Sequence, residues 1–204
     1  MQIIEGIKEA GRPYEIPDCG RDNLPEFLVQ MGLKVGAEIG TSKGVYAEKF
    51  GKAGLKLYCV DPWLDYPDYC RGDANWQRDL DHQYNRTKDL LAPYDCHLIR
   101  KLSMDALNDF EDESLDFVYI DGNHEFMYVL NDIHQWSRKV KKGGVISGHD
   151  YFYSDPHGFE IIKVKEAVDV YTKHYGIKNW YVLGRKEKVA GEVRDNFRSF
   201  MWIK

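Results

Sequence analysis

Hydrophobic and polar positions alternate along the chain between a period near 3.6 and a period near 2, and the exchange repeats through residue 175. Leu24, Phe27, Leu28 and Met31 share one helical face, and Val35-Gly36-Ala37-Glu38-Ile39 then predicts a buried strand. A helix is expected from about Lys43 to Ala53. The next strand, residues 55–60, stops at Asp61-Pro62, because proline brings no N–H to a ladder. Trp76, Leu80, Tyr84, Thr87 and Leu91 form one helical face inside an insertion spanning 62–95. Residues 97–100 read as a third strand, 104–110 as a short helix and 115–120 as a fourth strand. Phe126, Val129, Leu130, Ile133, Trp136 and Val140 predict a long helix, which Lys141-Lys142-Gly143-Gly144 would close with cations and a glycine cap. Residues 145–148 give a fifth strand, and Ile161, Val164, Val168, Tyr171 and Tyr175 another helix. Two strand-like runs, 177–183 and 197–203, have no helical pattern between them.

Strands that alternate with helices predict an α/β, Rossmann-like three-layer sandwich. The expected sheet has seven strands, mostly parallel, with the last two runs as an antiparallel C-terminal hairpin at its edge. No repeat or linker divides the chain, so 1–204 reads as a single domain with a leader at 1–21.

Composition narrows the function classes. With 28 Lys and Arg against 33 Asp and Glu, the net charge of −5 provides no global basic field for a nucleic acid. No apolar run approaches membrane-helix length and the start lacks a signal-peptide core, so the expected setting is cytoplasmic, without a membrane partner. Cys19, Cys59, Cys70 and Cys96 share no C-x-x-C spacing and read as reduced thiols.

In open α/β sheets ligands bind beyond the carboxyl ends of the strands, so the residues just after each strand carry the chemistry. The first such turn, Glu38-Ile39-Gly40-Thr41-Ser42-Lys43-Gly44, is glycine-rich, and Asp61 follows Gly40 by 21 residues at the end of the second strand. That is where an acid accepts hydrogen bonds from ribose hydroxyls. The spacing is not Gly-x-Gly-x-x-Gly, which disfavours a dinucleotide. Glu38 would repel a pyrophosphate and attract a cation, and S-adenosyl-L-methionine is a nucleoside of that charge pattern.

The ordered segments GAEIGTSKGVYAEKF, LYCVDPW, SLDFVYIDGNHEFMYVLNDIHQW and VKKGGVISGHDY resemble the motifs of class I S-adenosylmethionine-dependent methyltransferases, in the small-molecule branch with I-D-G-x-H and G-H-D-Y segments. The resemblance covers roughly residues 22–183. It implies that Glu38 and Gly40 line the methionine end of the cofactor, that Thr41 and Gly44 also belong to the cofactor site, and that Asp61 holds the ribose. Trp63, Ser103 and Met104 would border ribose or base, and Asp121 would sit beside the reacting methyl. It also implies methyl transfer to a small-molecule acceptor, foremost at a hydroxyl oxygen. His124 and His149 are the candidate bases, with His124 preferred.

Asp121 and Asp150 follow neighbouring strands, and a pair of carboxylates there suits Mg²⁺. Similar enzymes acting on sugar-bearing natural products carry a pair of acids after the fifth strand, where this chain has His149-Asp150. Arg12, Tyr14, Arg71, Arg78, Arg86, Tyr151 and Tyr153 are candidates for acceptor contact, and homo-oligomerisation stays open. Two alternatives remain at this point: an NAD(P)-dependent oxidoreductase, and a non-catalytic nucleoside-binding module on the same fold.

Overall fold

The computed structural model describes residues 2–66, 75–152 and 162–204. Cys70, Arg71 and Tyr153 lie outside these residues. Seven α-helices and eight strands are found among the described residues: α1 (Ile3–Gly6), β1 (Tyr14–Ile16), α2 (Leu24–Gln30), β2 (Val35–Ile39), α3 (Val45–Lys52), β3 (Lys56–Val60), α4 (Trp76–Leu91), β4 (Cys96–Ile99), α5 (Ser103–Ala106), β5 (Leu115–Ile120), α6 (Phe126–Lys139), β6 (Val140–Gly148), α7 (Val164–His174), β7 (Tyr181–Leu183) and β8 (Phe200–Ile203).

All eight strands join one sheet in the order β1-β7-β8-β6-β5-β2-β3-β4. β8 pairs antiparallel with both β6 and β7, and every other pairing is parallel. Alternation within β5 shows how the sheet is covered. Val118 and Ile120 pack with Val129, Ile133 and Trp136 of α6 and Val168 of α7. Phe117 and Tyr119 point the other way, against Tyr46 and Phe50 of α3 and Phe27 of α2. These two apolar layers, one on each face, are the three-layer sandwich expected from the pattern.

Three expectations need correction. The sheet has eight strands, because the leader contributes β1, whose three residues are too few to display a period of two. The antiparallel pair is not at the edge, since β8 lies between β6 and β7 while β1 covers β7. Lys141-Lys142-Gly143-Gly144 does not cap α6: the helix ends at Lys139 and the run is the start of β6. Leu115 pairs with Val140 and Phe117 with Val145, so the extra residues form an irregularity in the ladder, with Gly143 at φ +82°.

Strand order reverses between β2 and β5, and there the loops after the two strands meet. Gly40 has φ +91°, and a Cβ on it would stand 2.2 Å from the Asp121 carbonyl oxygen. Only glycine accepts both the conformation and the approach. Gly40→Ala is expected to destabilise the fold by about 2–4 kcal/mol, measurable as a lowered urea midpoint; an unchanged midpoint would mean that the two loops part without cost.

Candidate functional site

The meeting of these loops opens a cavity of about 1110 Å³ at the carboxyl ends of β2, β3, β4 and β5. Its wall includes Gly40, Asp61, Trp63, Ser103, Met104 and Asp121 from the sequence-derived set, with Arg86 of α4. Among the other candidates for acceptor contact, Tyr151 is buried and donates its hydroxyl to Asp169 at 2.8 Å. Arg12 donates to the Lys178 carbonyl at 3.3 Å. Tyr14 opens β1, at the amino end of the parallel strands.

Asp61 shapes the loop before any ligand arrives. Its Oδ2 accepts the Ser42 N–H at 2.9 Å and its Oδ1 the Trp63 N–H at 2.8 Å. Ser42 and Trp63 both have positive φ, 50° and 40°, and these bonds offset that cost. Burial pushes the Asp61 carboxyl up, against the lowering effect of the two N–H groups. Trp63 is 1% exposed. Its indole donates to the Ser42 carbonyl at 2.9 Å and meets Tyr84 edge-on, so it braces the turn as well as lining the cavity. The same carbonyl accepts the Thr87 hydroxyl at 2.9 Å, and Gln83 donates to the Ser42 hydroxyl at 3.1 Å. Helix α4 therefore buttresses the glycine turn. Gly44, at φ +72°, caps α3 where a Cβ would meet Thr87 at 2.7 Å.

Glu38 and Thr41 are buried behind that turn. Glu38 points to the α3 face, beside the Tyr46 ring, and its Oε2 has no hydrogen-bond partner. Burial drives its carboxyl well above the ordinary range. A buried oxygen left in this state is suited to a positively charged group placed just beyond Gly40.

The second half of the site is a cluster of acids and histidines. Nε2 of His124 lies 3.1 Å from Asp150 and 3.5 Å from Asp121, and Nδ1 of His149 lies 3.3 Å from Asp150 and 4.0 Å from Asp121. Burial opposes the charge on Asp150, but His149, His124 and Arg21 outweigh it and hold its carboxyl below the ordinary range. Asp121, His124 and Asp150 each present a ligand atom, and the three atoms lie within 4.8 Å of one another.

Sequence reasoning missed two participants. Arg21 places its guanidinium 3.6 Å from Asp121 and 5.0 Å from the centre of the Tyr46 ring. It comes from the leader, and no local spacing reveals a contact made across 100 residues. Asp132 is buried on α6 and lines the cavity, with one oxygen bonded to the Ser103 hydroxyl. Its signal was present: it occupies the apolar face between Val129 and Trp136, where a carboxylate is out of place.

A sheet ordered in this way, with an acid-rimmed cavity at its point of reversal, has the architecture of class I methyltransferases. The chain belongs to a methyltransferase-domain family, whose model matches residues 33–151, from the approach to β2 through the cluster after β6. The uncharacterized protein y4gI of Sinorhizobium fredii is 29% identical over 134 residues, which cover 63% of this chain and 14% of that protein. The chain thus spans about a seventh of the length of this curated relative. Among solved structures, the O-methyltransferase TomG of Streptomyces achromogenes, involved in tomaymycin synthesis and in complex with SAM, superposes with a TM-score of 0.58 at 12% identity, over 90% of this chain and 78% of that one. An rRNA methylase of Streptococcus thermophilus gives 0.59 at 13% identity, over 89% and 93%. At these identities the likeness extends to the fold.

Asp132 also ties stability to pH. Burial pushes its carboxyl from an ordinary 3.8 up to about 7, so between those values the folded chain keeps a proton that the unfolded chain has released. Stability should fall as pH rises through that window, by about 4 kcal/mol at most, and level off above it. Asp132→Asn should flatten the decline in urea midpoints compared at about pH 4.5 and 7.5; a decline as steep as in the parent chain would assign the effect to another group, such as Glu38.

Proposed function

We propose that the protein transfers a methyl group from S-adenosyl-L-methionine to a hydroxyl oxygen of a small molecule. The observation that carries this reading is the unpartnered, buried Oε2 of Glu38 behind a glycine turn, next to a cavity whose rim holds Asp61. A cationic nucleoside matches both ends of that arrangement, whereas a dinucleotide would meet Asp61 through its ribose but set its pyrophosphate against Glu38. S-adenosylmethionine, when bound, supplies an activated methyl on a sulfonium for in-line displacement.

In this reading Asp61 accepts the ribose hydroxyls and Gly40 lets the ligand approach the backbone. Asp121 provides negative charge at the methionine end, and Glu38, held toward the neutral form by burial, would ionise as the ligand's cationic group comes beside it. Trp63, Ser103 and Met104 border the nucleoside, and Thr41 and Gly44 shape the turn beneath it. His124 takes the proton of the acceptor hydroxyl: Asp150, ionised at its side, favours the protonated ring that results. His149 supports the same carboxylate from behind. The leader, through Arg21, and the insertion 62–95, through α4, frame the acceptor side of a single domain. Acids on the cavity wall, Asp61, Asp79, Asp105, Asp121 and Asp132, outnumber Lys43 and Arg86 there, which disfavours a nucleic-acid acceptor. No described helix is long and apolar enough to cross a membrane. A cytoplasmic setting suits the free thiols of Cys19, Cys59 and Cys96.

A second reading of the cluster rests on the convergence of three donors. Asp121, His124 and Asp150 form a donor set for a divalent cation, in which the two carboxylates suit Mg²⁺ and the ring nitrogen suits a softer ion better. A cation there would lower the pKa of an acceptor hydroxyl.

Calorimetric titration with S-adenosylhomocysteine should show binding at sub-millimolar ligand, and Asp61→Ala should weaken it by at least about tenfold. No binding by the parent chain would overturn the proposal. His124→Ala should retain ligand affinity and lose turnover by roughly 10²-fold or more. Loss of that turnover on chelation, restored by Mg²⁺, would decide for the cation; indifference to chelator would decide for the base.

A further inference from the structure

Helix α6 turns Val129, Ile133 and Trp136 towards the sheet, all fully or nearly fully buried. Asp132 is on that face and is 4% exposed, yet it lines the cavity together with Ser103, Tyr128 and Asn131. A leucine there would cost less, because a buried carboxyl needs partners for both oxygens. Only one has them. The Ser103 hydroxyl bonds Oδ1, and Ser103 is itself fixed by the Trp136 indole N–H, which donates to its oxygen at 2.8 Å. Among the described residues no group donates to Oδ2. It lies 3.7 Å from the place a Cβ on Gly122 would take, so the missing side chain keeps the approach to it open.

The chain Trp136–Ser103–Asp132 fixes one carboxyl oxygen and presents the other to the space that a nucleoside would enter. Resting on the reading of that cavity as the S-adenosylmethionine site, we propose that Asp132 reads the nucleobase. It accepts on Oδ2 a hydrogen bond from an exocyclic amine, admits a 6-aminopurine and refuses a 6-oxopurine, whose carbonyl would face the carboxylate.

The chemistry of the position agrees. Asp132 is bonded to the Ser103 hydroxyl, which the Trp136 indole fixes in turn, and although Lys43 and Arg86 also line the cavity, Asp132 makes no ion pair among the described residues. Burial keeps the carboxyl up at about 7 without a ligand, and an amine donor on Oδ2 would favour the ionised form. Two acceptors set against each other in a dry site forfeit a hydrogen bond on both sides, which is why such discrimination exceeds what packing alone provides.

The test compares S-adenosylhomocysteine with S-inosylhomocysteine by calorimetry at about pH 8.5, above the titration of the free carboxyl. The parent chain should bind the adenine ligand at least about tenfold more tightly. Asp132→Asn has nearly the same shape and offers both a donor and an acceptor, so it should bind the two ligands within about threefold of each other, chiefly by gaining affinity for the inosine ligand. A purely structural Asp132 would give no such gain. Equal binding of both ligands by the parent chain, or an undiminished preference in a folded Asp132→Asn, would overturn the inference while leaving the methyltransferase reading intact. Failure of the parent chain to bind either ligand would overturn both.

Discussion

The backbone of Gly40 and the carbonyl of Asp121 come so near each other that no side chain fits between them, and every other part of the site depends on that approach. It follows from β2 and β5 being neighbours although 75 residues separate their ends in sequence. The loops leaving these strands bring the glycine turn, with Glu38 behind it, against the segment that carries Asp121, Gly122 and His124. Separate the two loops by the width of a methyl group, and the cavity loses the junction of its two halves.

Around this junction the chain concentrates acids and handles each differently. Asp61 is fixed by two backbone N–H groups, and Asp150 is kept ionised by two imidazoles and a guanidinium. Glu38 and Asp132 are buried with an oxygen left over and driven toward the neutral form. The first pair is organised in advance; the second is left incomplete. An incomplete buried carboxyl reduces stability; Glu38 lies behind the glycine turn and Asp132 on the cavity wall, where the charge and the base of the proposed ligand would meet them.

Much of this was legible in the residues. The face Trp76, Leu80, Tyr84, Thr87, Leu91 marks a helix whose observed limits are Trp76–Leu91, and the strands β2, β3 and β5 stand where their apolar runs are. Asp61, Asp121, His124, His149 and Asp150 could be singled out as candidates because each stands within four residues of the carboxyl end of a strand. β1 could not, because three residues carry no period and its partner β7 is 165 residues away. Arg21 was hidden for the same reason. Lys141–Gly144 misled because cations followed by glycines end many helices, while here the strand simply begins at once and absorbs the irregularity. Asp132 was visible only as a polar residue in an apolar stripe, a signal that becomes chemistry once the sheet order sets Ser103 beside it.

Thr87, Gln83 and Trp63 all hold on to Ser42. Through these contacts the segment proposed to face the acceptor also supports the turn proposed to face the donor. The two recognition tasks are thus mechanically joined, and residues 62–95 are not an exchangeable cassette. A lineage that altered α4 to receive a different acceptor would have to keep a hydroxyl at 87 or rebuild the turn, so diversification of this helix is confined to positions that leave Ser42 in place.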